Sequence, residues 1–180
     1  MDTAFAEVAP GPPRPSAVRE TGALALPPGT ERYTVAGAGA ILVPVAAGDR
    51  LTVANPEGGQ PCEIVAAGVD GRIDAGLIGA RADSAAAGLK ALLDGPDRSL
   101  RGLRLGIATR GIDLAKAGGV GLFGTATPAG SAESFTVAGD GVVIVAAPGG
   151  VMDFDRQDTA TPLTLTIARA TLRRARSFPL

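Results

Sequence analysis

Gly48-Asp49-Arg50-Leu51-Thr52-Val53-Ala54-Asn55-Pro56-Glu57-Gly58-Gly59-Gln60-Pro61-Cys62-Glu63-Ile64-Val65 is the stretch whose reading decides the fold. Leu51 and Val53 alternate with Thr52 and Ala54, the period-two pattern of a strand with one buried face. Asn55-Pro56 and Gly58-Gly59 break the chain into a turn, because proline fixes φ and glycine tolerates φ > 0. A second strand then opens on Gln60, Cys62 and Glu63 and continues into Ile64-Val65.

Outward from this unit the texture is the same on both sides. Tyr33–Val35 and Ala40–Val45 read as strands before it, separated by glycine turns, with Pro27-Pro28-Gly29 ahead of them. After it, Val69-Asp70-Gly71-Arg72-Ile73 carries an Asp-Gly hairpin signal. Leu89, Leu92 and Leu93 have helical spacing, so a helix is expected from about Ser84 to Leu93, capped by Asp83 or Ser84 and stopped by Gly95-Pro96. Leu103, Leu105 and Ile107 alternate with Arg104 and Gly106 and read as a half-buried strand, while Ile112–Lys116 suits one helical turn. Gly118–Gly124 is glycine-rich but lacks the Gly-Lys-Ser/Thr ending of a phosphate loop, so it reads as a turn or loop. Ser134–Val137, Val142–Ala146 and the alternating Leu163, Leu165, Ile167 close the series of strands. Thr34-Val35-Ala36-Gly37-Ala38-Gly39 recurs as Thr136-Val137-Ala138-Gly139-Asp140-Gly141, two strand-turn-strand units that can pair in one core. The expected fold is mainly β (α+β at most), a barrel- or sandwich-like core of short strands with one or two short helices. Residues 1–20 are expected to form a flexible proline-rich arm, 21–172 a single β-rich domain, and 173–180 a basic tail or linker.

Composition narrows the chemistry. The 180 residues include 26 glycines and 14 prolines without a fibrous period, which implies many turns. There is no histidine and one cysteine, so Ser-His-Asp and Cys-His catalysis, Cys/His zinc sites and an intrachain disulfide are all excluded within these residues. Net charge is −1 and aromatics make up 3%, so nucleic-acid binding is not expected. No apolar run reaches the ~18–20 residues that span a bilayer, and the N-terminal residues lack a signal-peptide pattern. The expectation is a cytoplasmic protein without a membrane partner.

Gly48-Asp49-Arg50-Leu51 followed by Gly58-Gly59-Gln60-x-x-Glu63 resembles the urea-carboxylase-associated family. Gly139-Asp140-Gly141, an aliphatic strand, Ala147-Pro148-Gly149-Gly150-Val151-Met152-Asp153 and Pro162-Leu163 resemble its closing segment, so that the likeness covers about Glu31 to Ala170. Members include carboxyguanidine deiminase subunits, and similar domains occur beside folate-dependent aminomethyltransferases of the glycine-cleavage T-protein type. Active members have cysteine and histidine in the middle of the domain, where this chain has neither. The resemblance therefore implies a non-catalytic or accessory small-molecule-binding module, without a cofactor, acting with a partner enzyme of amine, urea or one-carbon metabolism. Its ligand would be a small amino or guanidino compound.

Gln60, Glu63 and Asp153 are the expected ligand-binding residues. Gln60 can orient a polar molecule through its amide, and Glu63 can pair with an amine or guanidine. Cys62 points opposite Glu63 in strand alternation and is expected to be a buried, inert thiol. The alternative function is a stand-alone deiminase or hydrolase, with Glu63 as general base and Asp153 and Asp155 holding a divalent metal that activates water. Arg98, Arg101, Arg104 and Arg110 form a loose basic stretch. Arg169, Arg173, Arg174 and Arg176 form a denser one, expected to be a solvated tail or a linker to a partner.

Overall fold

The computed structural model describes residues 26–149 and 160–170. The expected arm at 1–20, the basic tail at 173–180 and Asp153 and Asp155 lie outside the described residues. The described chain is mainly β, as the alternation implied: eight strands in two antiparallel sheets, with two short α-helices. The strands are β1 (Thr30–Val35), β2 (Gly39–Val45), β3 (Arg50–Asn55), β4 (Cys62–Gly68), β5 (Val120–Leu122), β6 (Ser131–Thr136), β7 (Gly141–Ala147) and β8 (Leu163–Ala168). One sheet has the order β1-β8-β3-β6 and the other β2-β7-β4-β5. No helix among the described residues is long and apolar enough to cross a membrane.

The architecture has three layers, and the sequence of each strand reports how many of its faces are covered. Val143 and Val145 of β7 point into the space between the sheets with Val43, Val45, Ile64, Leu51, Val53, Leu163, Leu165 and Ile167. The intervening residues Val142, Ile144 and Ala146 point the other way, with Val65 and Ala67 of β4, and meet Leu89, Ile107 and Ile112 from the helical layer. A sheet buried on both faces must be apolar at every position, which accounts for the uninterrupted Val142–Ala147. Small residues also admit close approach within this sheet: a Cβ on Gly141 of β7 would come within 2.3 Å of the Ala67 carbonyl oxygen on the paired strand β4.

The other sheet is covered on its inner face only. Its outward residues form three rows set by the pairing register: Thr34, Thr164, Ala54, Ala132; then Arg32, Thr166, Thr52, Ser134; then Thr30, Ala168, Arg50, Thr136. The internal echo has a structural meaning. In each copy the first strand, β1 or β6, is an edge of this sheet, and the second, β2 or β7, crosses to the other sheet. The second strands then pair along their whole length, from Gly39 opposite Ala147 to Val45 opposite Gly141.

Three local expectations are corrected. Leu103, Leu105 and Ile107 belong to a helix, α2 (Arg101–Ala108), not a strand. Leu100, Leu103 and Ile107 recur at spacings of three and four and face the core, whereas Leu105 is 64% exposed. Helical period outweighs the alternation because the chain from Arg98 is already wound into a 3-10 turn, with Asp97 Oδ1 accepting the Ser99 N–H. The Asp70-Gly71 turn forms, but the returning strand is reduced to a single bridge between Ala67 and Ile73. Val120–Leu122, read as part of a glycine loop, is the edge strand β5 on β4.

Ile144→Ala removes a fully buried side chain between the sheet and the helical layer, and is expected to lower unfolding free energy by about 2–5 kcal/mol in urea titrations. Leu105→Ala, on the exposed face of α2, should stay within about 0.5 kcal/mol of the parent.

Candidate functional site

Gln60 follows the Gly58-Gly59 turn, where both glycines have positive φ, and its side chain is turned inward, leaving it 4% exposed. Its Nε2 donates to the carbonyls of Pro61 and Pro148, each at 2.8 Å, and its Oε1 accepts the Thr161 N–H at 2.8 Å. One amide thus joins the start of β4, the end of β7 and the approach to β8. Asn55, fully buried at the end of β3, supports it by donating to the Gln60 carbonyl at 3.0 Å while accepting the Gly58 N–H at 3.0 Å. Gln60 serves the chain's own backbone, because both ends of its amide are engaged at close to ideal length.

Glu63 points to the opposite face of β4 from Cys62, toward the helices. Its Oε1 accepts the Gly88 N–H at 3.1 Å and its Oε2 the Leu89 N–H at 2.7 Å. Those N–H groups open helix α1 (Ala87–Asp94), which has no side-chain cap of its own. Glu63 is therefore its cap, with the negative charge against the positive end of the helix. The expected caps act elsewhere: Asp83 accepts the Gly121 N–H and Ser84 the Ala86 N–H. Arg104 closes the other end of α1, donating to the carbonyls of Leu93, Gly95 and Asp97. Cys62 is buried between the sheets, and desolvation, with the nearby Glu63 charge, pushes its thiol up to about 12. It is neutral at ordinary pH, the state of an inert thiol.

The charged centre of the described molecule is one that the sequence reading did not single out. Asp49, 2% exposed in the β2–β3 turn, receives the Ala46 and Ala170 N–H groups, each at 3.0 Å, and Arg169 Nη1 at 2.7 Å. Arg169 also donates through Nε to Glu31 at 2.9 Å, through Nη2 to the same carboxylate, and through Nη1 to the Pro44 carbonyl at 2.9 Å. Tyr33 Oη completes the cluster by donating to Glu31 at 2.6 Å. Arg169 is thus no part of a solvated tail; it clasps β1, the β2–β3 turn and the end of β8. The signal was present: Leu163, Leu165 and Ile167 point inward, and period two carries Arg169 to the same side.

The clasp holds its acids ionised. Burial pushes the Asp49 carboxyl up, but the Arg169 guanidinium and the Ala46 and Ala170 amides outweigh it and leave it below the usual range. The Arg169 and Tyr33 hydrogen bonds hold Glu31 down as well, and the bond to Glu31, with burial, raises the Tyr33 phenol. Elsewhere, an open groove of about 390 Å³ lies between the Asp70–Ile73 turn and Lys116, adjoining another of about 420 Å³ that reaches Arg81. Its ion pairs, Arg72 with Asp70 and Lys116 with Asp113, are solvent-exposed and weak. Among the described residues, no three His, Cys, Asp or Glu side chains gather into a metal-binding group.

Comparison with known proteins adds what this geometry leaves open. The chain is 59% identical, over all 180 of its residues, to the trimethylamine-oxide aldolase of Ruegeria pomeroyi, and spans 23% of that protein's length. No family model matches the chain, and no solved structure matches it. The relative is named as an enzyme, which overturns the expectation of a non-catalytic accessory module. Its aldolase name gives no support to the alternative deiminase or hydrolase, nor to the urea-carboxylase and aminomethyltransferase associations.

Two outcomes test the site's energetics. Gln60→Ala orphans the Thr161 N–H and the Pro148 carbonyl and should cost at least about 1–3 kcal/mol in urea titrations. Arg169→Met should cost about 3 kcal/mol near neutral pH, because it strands a buried carboxylate. Asp49 and Glu31 have depressed folded-state pKa values, so their contribution is complete above the unfolded-state values near 4 and is lost as pH falls through the folded-state values. The stability gap between parent and Arg169→Met should accordingly be widest above about pH 5 and close in acid.

Proposed function

We propose that this chain is a β-sandwich portion of an enzyme that cleaves trimethylamine N-oxide as an aldolase. The observation supporting the reading is the 59% identity to the Ruegeria pomeroyi aldolase, in a match that extends over all 180 residues of the chain.

The reaction implied by that name is redox-neutral. Cleavage of one carbon–nitrogen bond in trimethylamine N-oxide, with the oxygen ending on the departing carbon, gives formaldehyde and dimethylamine. The methyl carbon is oxidised and the nitrogen reduced, so the atoms balance without an outside oxidant. The N-oxide oxygen calls for a hydrogen-bond donor or a cation, and the methylated nitrogen for a carboxylate or an aromatic face.

The complete polypeptide encoded around this sequence, incubated with trimethylamine N-oxide, should release formaldehyde and dimethylamine in a one-to-one ratio, read by derivatised formaldehyde and by amine chromatography. A folded polypeptide that forms neither product at saturating substrate would overturn the reading.

A further inference from the structure

We propose that the open face of the β1-β8-β3-β6 sheet is an intramolecular docking surface, covered in the complete enzyme by a carboxylate-bearing part of a longer polypeptide. The inference rests on the aldolase reading for the existence of that longer polypeptide: the relative is roughly four times the length of this chain, since the chain spans 23% of it.

The two sheets differ in a way that points to a missing layer. The β2-β7-β4-β5 sheet has the second sheet on one side and the helices on the other, whereas no described helix packs on the outer face of β1-β8-β3-β6. A solvated sheet face carries polar side chains, and exposed edge strands are normally guarded by charged ones, lysine above all. Here the outward rows consist of threonine, serine and alanine, apart from Arg32 and Arg50. Such residues make a flat, stiff surface that loses little side-chain entropy when covered. The Thr52 and Ser134 hydroxyls partner each other in the plane of the sheet at 2.9 Å, so burial need not orphan that pair.

Charge and area choose the occupant. Both charged residues on the face are arginines and no outward position carries a carboxylate, so a second copy stacked on it would set like charges together. Four strands about 4.8 Å apart and three rows deep present about 300–400 Å², well short of the roughly 800 Å² per partner in a stable complex. A patch of that size suffices within one polypeptide, where effective concentration replaces bulk affinity.

The test is thiol labelling. Cys62 is buried and its thiol neutral, so a maleimide reagent followed by peptide mass spectrometry reads Thr166→Cys at the centre of the face. Lys116→Cys on the exposed groove is the control. In the complete polypeptide Thr166→Cys should label at least about tenfold more slowly than in the folded 180-residue chain, with Lys116→Cys fast in both. Arg32→Glu with Arg50→Glu in the complete polypeptide should restore fast labelling of Thr166→Cys by repelling the docked carboxylates, a readout that needs no isolated chain. Equal labelling rates, or no response to the double charge reversal, would overturn the proposal. So would slow labelling in the isolated chain: concentration-dependent slowing would mean a second copy, and concentration-independent slowing a segment of the 180 residues themselves. Protected but inactive polypeptide would instead reject the aldolase reading and leave the docking surface standing.

Discussion

Two-sided burial of the β2-β7-β4-β5 sheet is the constraint on which the other features depend. Once β7 and β4 lie between a second sheet and a helical layer, no polar side chain is tolerated along their length without a bonded partner. Val142–Ala147 meets that demand with aliphatic residues, and Gly141 admits the close approach of the Ala67 carbonyl. Glu63, the one charged residue in β4, is accommodated because it faces the free N–H groups at the start of α1. Strand and helix thus satisfy each other: the carboxylate gains two N–H donors, and the helix acquires the cap that its own residues do not supply.

The polar residues inside the sandwich act as ties between elements distant in sequence. Gln60 bridges three strand ends through a single amide, and Asn55 fixes the turn that delivers it. At the Arg169 clasp, one guanidinium joins carboxylates of β1 and the β2–β3 turn to a carbonyl of β2. Both locks bear on β8, the central strand that lies between β1 and β3. Its inner face is wholly apolar, and its ends are where directional bonds settle the register. Hydrophobic alternation alone leaves a two-residue slip nearly degenerate, and paired charges do not.

In functional terms, these ties place the molecule's most constrained groups in structural service. Cys62 is neutral and enclosed, Gln60 and Glu63 are bonded to backbone, and Asp49 and Arg169 are bonded to each other. The likeness to the Ruegeria pomeroyi trimethylamine-oxide aldolase is one of overall sequence, 59% identity over 180 residues, and no metal-binding cluster of His, Cys, Asp or Glu stands among the described residues. Among the described residues, the sandwich leaves open a broad face of threonine, serine and alanine with two arginines, Arg32 and Arg50.

Residues close together in the chain made much of the fold legible: alternation and short apolar runs located seven strands, glycine turns separated them, and leucine spacing found α1. Opposed alternation also placed Cys62 inside and Glu63 on the other face, because successive side chains in a strand must diverge. The α2 segment misled because its Leu103, Leu105 and Ile107 satisfy a strand template, whereas the capped 3-10 turn before it and the packing of Leu103 and Ile107 in the core select the helix. The roles of Gln60, Glu63, Asp49 and Arg169 were decided by tertiary structure alone. Their long-range partners are 25 to 138 residues away, and hydrogen-bond geometry exists only once the layers have brought those groups within about 3 Å. A sequence read in one dimension carries the periodicity that buries a face, but not the distances that pair a charge.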